Sequence, residues 1–213
     1  MPAEPVTTCV RGRWRTTTVG WHDNGAAAGG DIGGGGGVLV DIAANGVVTA
    51  DFGGMQPVEF TVQVAGAPVN GTFSYTGRAT GTIGTGPTVI PSASGPPSTN
   101  PATPPAPPST TAEPNEPGAS AGPSGPVSGS WTVQGPVDWS GVRLTVDITA
   151  PVAARPFDGV PVGDYAGAGA TQTGNVVDVR PLLDNGRYLC QGRSLVLFFG
   201  GTKNLGWILF PRQ

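Results

Sequence analysis

The stretch Val38-Leu39-Val40-Asp41-Ile42-Ala43-Ala44-Asn45-Gly46-Val47-Val48-Thr49-Ala50-Asp51-Phe52 reads as two strands joined at Asn45-Gly46. Asn and Gly tolerate the positive φ angles of a tight hairpin turn, and β-branched residues crowd both flanks. An antiparallel hairpin is expected here. Further along, Val58, Phe60, Val62 and Val64 alternate with Glu59, Thr61 and Gln63, the period-two pattern of a half-buried strand. The same alternation turns Phe73 and Tyr75 inward against Thr72, Ser74 and Thr76. It also turns Val142, Leu144, Val146 and Ile148 inward against Arg143, Thr145 and Asp147. No comparable window carries helical periodicity with caps. The chain is expected to be all-β, with about ten strands near residues 12–19, 37–43, 47–53, 57–65, 71–83, 128–134, 142–148, 187–190, 195–199 and 206–210.

Composition sets the organisation. Of 213 residues, 36 are Gly and 23 Pro, so much of the chain lies outside regular structure. Residues 87–126 hold 13 of those prolines with no aromatic residue, Lys or Arg, and cannot bury a core. Neither flanking half has enough strands to close on itself. A single domain over residues 1–213 is therefore expected, with residues 84–127 as a disordered Pro/Ser/Thr/Gly-rich insertion. With 12% charged residues and a net charge of −3, no basic face is expected, which argues against nucleic acid as a partner. No run approaches the roughly 18 apolar residues of a membrane-spanning helix, and residues 1–9 lack the regions of a signal peptide.

If the strands run up and down in order, connections sort by end. The tight end is expected to receive Asn45-Gly46 and residues 66–70, 135–141 and 191–194. The opposite end would receive residues 20–36, the Pro-rich insertion, residues 149–186 and residues 200–205. The expected fold is an antiparallel up-and-down β-barrel of about 8–10 strands whose long loops crown a mouth. Cys9 and Cys190 both arrive at the tight end, so a disulfide between them and an oxidising compartment are expected; two separate buried thiols are the alternative.

Gly12-Arg13-Trp14 opens the first strand, and Arg212 follows the apolar run Trp207-Ile208-Leu209-Phe210. This resembles the lipocalin and wider calycin pattern. The resemblance implies structural roles for Gly12, Trp14 and Arg212, with the guanidinium over the indole at the tight end, and a small hydrophobic ligand inside the barrel. Fatty-acid-binding-protein-like barrels are equally similar relatives. Their inward Arg clamp is not carried over, because Arg78 and Arg143 fall on outward faces. The pieces DFGGMQP (51–57), VDWSGV (137–142) and YLCQGRSLVL (188–197) are also similar to secreted or lipoprotein-associated domains of high-GC bacteria, a likeness that implies no activity.

The chemistry-bearing residues are sparse. The one histidine, His22, stands between Trp21 and Asp23 with no nucleophile motif near it. Residues 33–37 are all Gly, but no Gly-Lys-Ser/Thr follows, so a phosphate loop is not expected. Acidic residues are scattered. No metal, cofactor or enzymatic activity is expected. Phe60, Phe73, Tyr75 and Trp131 point inward and either fill a core or line a cavity. Trp21 and His22 would form part of a lid, with Phe157 and Tyr165 beside the mouth, and Trp139 would act as a surface staple. The expectation is a monomeric, secreted or cell-envelope lipocalin-like domain that binds a small hydrophobic or amphipathic ligand. The alternative is a solid-core barrel acting as a protein or cell-envelope interaction module.

Overall fold

The computed structural model describes residues 6–21, 30–87, 126–163, 181–199 and 205–212. These contain β1 (Gly12–Trp21), β2 (Gly30–Gly34), β3 (Leu39–Ile42), β4 (Val47–Asp51), β5 (Val58–Val64), β6 (Ala67–Thr76) and β7 (Arg78–Pro87). They continue with β8 (Val127–Val133), β9 (Arg143–Ala150), β10 (Ala154–Pro161), β11 (Gly186–Gln191), β12 (Ser194–Phe199) and β13 (Leu205–Pro211). Eight strands close into an antiparallel barrel in the order β1-β13-β12-β11-β8-β7-β4-β3, and five form a second sheet in the order β10-β9-β6-β5-β2. Taken alone, the barrel strands follow one another in chain order, so the barrel is an up-and-down meander. The second sheet is built from excursions between barrel strands.

The β3–β4 hairpin forms as its sequence dictates. Ala43 N–H donates to Val47 O, Gly46 N–H donates to Ala43 O, and Gly46 has φ 84°. The run from Phe73 through Ile83, which reads as one strand, is two. Gly77, at φ 89°, breaks it, and Phe52 N–H donates to the Gly77 carbonyl across the break. β6 therefore belongs to the second sheet and β7 to the barrel. The turn between β5 and β6 lies at Ala65 and Gly66, both at positive φ, whereas Asn70-Gly71 sits within β6 beside a register shift against β9.

This break corrects the sorting of loops. The β5–β6 and β9–β10 excursions and the chain around β2 all leave from one end of the barrel. The tight turns after β3 and β11 lie at the other end. Residues 88–125, outside the described residues, connect β7 to β8 at that same tight end, where Pro87 pairs with Gly129. The insertion thus leaves from the disulfide end, not from a mouth, and its flanking strands are neighbours in one barrel. The connection at residues 134–142 moves the other way, to the end carrying the second sheet. Strand β10 occupies part of the 149–186 stretch that reads as loop.

One apolar cluster runs through both sheets. Inside the barrel, Val48, Ala50, Ile83, Leu195, Leu197 and Trp207 are fully buried. Val58, Phe73 and Tyr75 carry the cluster into the second sheet, and Phe52 meets Tyr75 with ring centroids 5.6 Å apart. At the tight end the floor is plugged from within by Val6 and Val10, 1% and 0% exposed. Thr7 N–H donates to Thr85 Oγ1 at 2.6 Å, and the Thr7 hydroxyl lies 3.1 Å from the Tyr188 hydroxyl. Cys9 and Cys190 are joined there in a disulfide, with Cα atoms 6.2 Å apart.

Candidate functional site

The residues singled out from the sequence separate into two groups. Phe60 and Phe73 face each other across β5 and β6 at 6.2 Å, and Phe73 meets Tyr75 edge-on at 5.9 Å. Trp131 lies in the barrel proper, edge-on to Phe199 at 6.1 Å. Phe60, Phe73, Tyr75 and Trp131 are all buried, between 1% and 6% exposed. Phe157, on β10, is half-buried against the same cluster. Trp21 ends β1, paired through its backbone with Leu205; its side chain, His22 and Tyr165 lie outside the described residues.

Among the described residues, the interior is a packed core. A hollow lumen would leave its lining open to water, yet Val48, Ala50, Ala79, Ile83, Leu197 and Trp207 have no open surface at all. The indole N–H groups of Trp131 and Trp207 are enclosed in it without a hydrogen-bond partner. The inward aromatics therefore fill space rather than line it, and a ligand has no room among these side chains.

Trp14 is buried at the floor, its indole N–H donating to Val10 O at 2.9 Å. Arg212 is exposed and reaches the same end through its backbone N–H, which donates to Arg13 O. The cation–π contact among the described residues is instead Arg187 over Phe198, 6.0 Å from the ring centroid. Gly12 takes φ 136° at the start of β1.

Two surface grooves have the volume of small-molecule sites. One, of about 460 Å³, lies between the β8–β9 connection and residues 181–185, lined by Trp139, Leu183, Asp138 and Asp184 among others. Trp139 is no surface staple: only 6% exposed, it belongs to the core and shows one edge to this groove. Asp138 is held below the usual carboxylate range by the Ser140 hydroxyl at 2.6 Å and then by the Ser140 N–H at 3.0 Å. The other groove, of about 560 Å³, lies on the second sheet and is lined by Asp31, Ile32, Glu59, Phe60, Asn70 and Thr149 among others, so Phe60 borders it. No group of three or more His, Cys, Asp or Glu side chains converges among the described residues. Among the described residues there is no helix long and apolar enough to cross a membrane.

Comparison with protein families, with curated proteins and with solved structures finds no match. The eight-stranded closed antiparallel barrel is consistent with a lipocalin-like fold.

Proposed function

We infer that the chain is a monomeric extracytoplasmic binding domain that recognises its partner through its outer surface, with the barrel as a solid scaffold. The observation carrying this reading is the interior, where Ala79, Ile83, Leu197 and Trp207 leave no space for even a water molecule. Binding in the lumen, the use a lipocalin makes of the same barrel, would require that core to empty. The Cys9–Cys190 disulfide supports an oxidising compartment. Native mass spectrometry of the purified protein tests the reading. The intact mass should match the chain alone, and a stoichiometric lipid-sized adduct would return the ligand to the lumen.

A second reading is favoured by the Trp139 groove, which joins an apolar edge to a carboxylate kept ionised by Ser140. It suits a small amphipathic cation. Asp138→Asn should abolish uptake of such a probe while leaving the melting temperature in place; unchanged uptake would remove the groove from consideration.

A further inference from the structure

Composition predicts no basic face, but the fold makes one. Residues 6–21 and 186–213 contain no Asp or Glu, yet they hold Arg11, Arg13, Arg15, Arg187, Arg193, Lys203 and Arg212, seven of the chain's 11 basic residues. All 14 acidic residues and the other four basic ones lie elsewhere. The barrel order places β1, β13, β12 and β11 side by side, so the chain's two ends become one continuous wall. Arg13 pairs with Asp41 at 3.5 Å, and Arg11 Nε donates to Val6 O. Arg15, Arg187, Arg193 and Arg212 are exposed and form no ion pair among the described residues.

The outer face of this wall is also apolar. Ile208, Val196 and Leu189 are cross-strand partners, so they form one row over three strands. Phe210 stands beside that row on one side at 46% exposure, and Phe198 beside it on the other. Outward positions on β4, β7 and β8 are mostly polar instead, among them Thr49, Thr80, Thr82, Ser128, Ser130 and Thr132, and Val47, 38% exposed, is paired across to Thr82 rather than to another apolar side chain. A contiguous apolar patch on a protein's outside marks an interaction site.

The geometry points to a lipid surface with anionic headgroups as the partner that docks on the β1–β13–β12–β11 wall. Phe210, Ile208 and Val196 would enter the interface while Arg15, Arg187, Arg193 and Arg212 meet the headgroups. Three features favour it over other occupants. The barrel is closed, so these strands have no open edge to which a peptide could add. The apolar row contributes no lining to either described groove, and a flat patch suits a fluid interface better than a protruding side chain. A twofold pairing with a second copy would set unpaired Arg against Arg without an acidic residue on either wall. The assignment rests on the reading that the barrel binds through its outside.

Cosedimentation of the whole chain with vesicles tests it, comparing phosphatidylcholine alone with phosphatidylcholine plus phosphatidylglycerol. Binding is expected only to the anionic vesicles and should be lost at high salt. Each of Arg15→Gln, Arg187→Gln and Arg193→Gln should weaken partitioning by about fivefold, and Phe210→Ser by about tenfold. All are surface changes, so melting temperatures should stay near that of the parent chain, and Arg143→Gln on the second sheet should bind as the parent does. Failure to sediment with anionic vesicles at low salt overturns the assignment, as does binding indifferent to these substitutions. Retention on immobilised polyglutamate without vesicle binding also overturns it, in favour of an acidic polypeptide. Any of these failures with a ligand-free native mass leaves the outer-surface reading standing, whereas a stoichiometric lumen ligand overturns that reading itself.

Discussion

Ala65 sits at φ 50° in the turn joining β5 to β6, followed by Gly66 at φ 83°. Two successive positive φ angles make the mirror-image turn that suits strand twist, and alanine's Cβ is strained at the first of them. Ala65→Gly or Ala65→Asn should stabilise the chain by about 0.5–1 kcal/mol, read as a rise in the urea midpoint; a fall would show the turn to be of another type. A second effect at this scale is electrostatic. Arg78 donates to Asp51 at 2.7 Å and, with the Gly53 N–H, holds the Asp51 carboxyl below its ordinary 3.8. A depressed carboxylate contributes stability that is present above its ordinary pKa and lost as pH falls through the lowered one. Arg78→Gln should therefore move the Asp51 carbon titration upward in NMR, and the stability lost on acidification through the carboxylate range should be smaller than in the parent chain. An unmoved titration would mean the pair is broken in solution.

Among the elements, Gly77 decides how the two sheets divide. Its φ of 89° lies where an L side chain is strained, and a Cβ there would run into the Gly141 carbonyl oxygen. Gly77→Ala should cost about 2–4 kcal/mol, a fall in melting temperature that calorimetry would register; a neutral result would mean the junction yields easily. The same glycine marks how far the sequence can be read. Alternation at Phe73 and Tyr75 and the Asn45-Gly46 turn show the strands and the barrel class correctly. They do not show that the chain leaves the barrel at Phe52 and returns at Arg78, because Thr76-Gly77-Arg78 looks like strand on either side. Reading through it shifts the parity of the connections that follow until β10, which reads as loop, restores it, and this is why the sequence places the Pro-rich insertion at a mouth. Cys9 and Cys190 escape the error because the β11–β12 turn and the entry to β1 share an end in either count. The site was less legible. Phe60, Phe73, Tyr75 and Trp131 do point inward, but periodicity cannot tell filling from lining. A signal for the outer wall was present in Leu195-Val196-Leu197-Phe198-Phe199, where apolar residues occupy both faces of a strand instead of one. Its basic partners are dispersed between residues 11–15 and 187–212, and only barrel closure makes them neighbours.

At the scale of the whole molecule, the disulfide spans a separation of 181 residues, nearly the entire chain. A chain-entropy argument puts the stabilisation from closing so long a loop near 5 kcal/mol as an upper limit. The structure argues for less, because the cross-link does not join two barrel strands. Cys9 lies before β1 in the segment that plugs the floor, held otherwise by the Thr7 contacts to Thr85 and Tyr188 and by the burial of Val6 and Val10. Without the bond, that segment can lift away while the barrel, closed by β1–β13 and β1–β3 pairing, stays folded. The paired substitution Cys9→Ser/Cys190→Ser should then lower stability by about 2–4 kcal/mol in urea titration. Before global unfolding, it should also speed amide exchange at Val10, whose N–H donates to Thr7 O, while exchange within β12 and β13 stays slow. Equal acceleration at all of these sites would place the disulfide's effect on the whole barrel rather than on its floor.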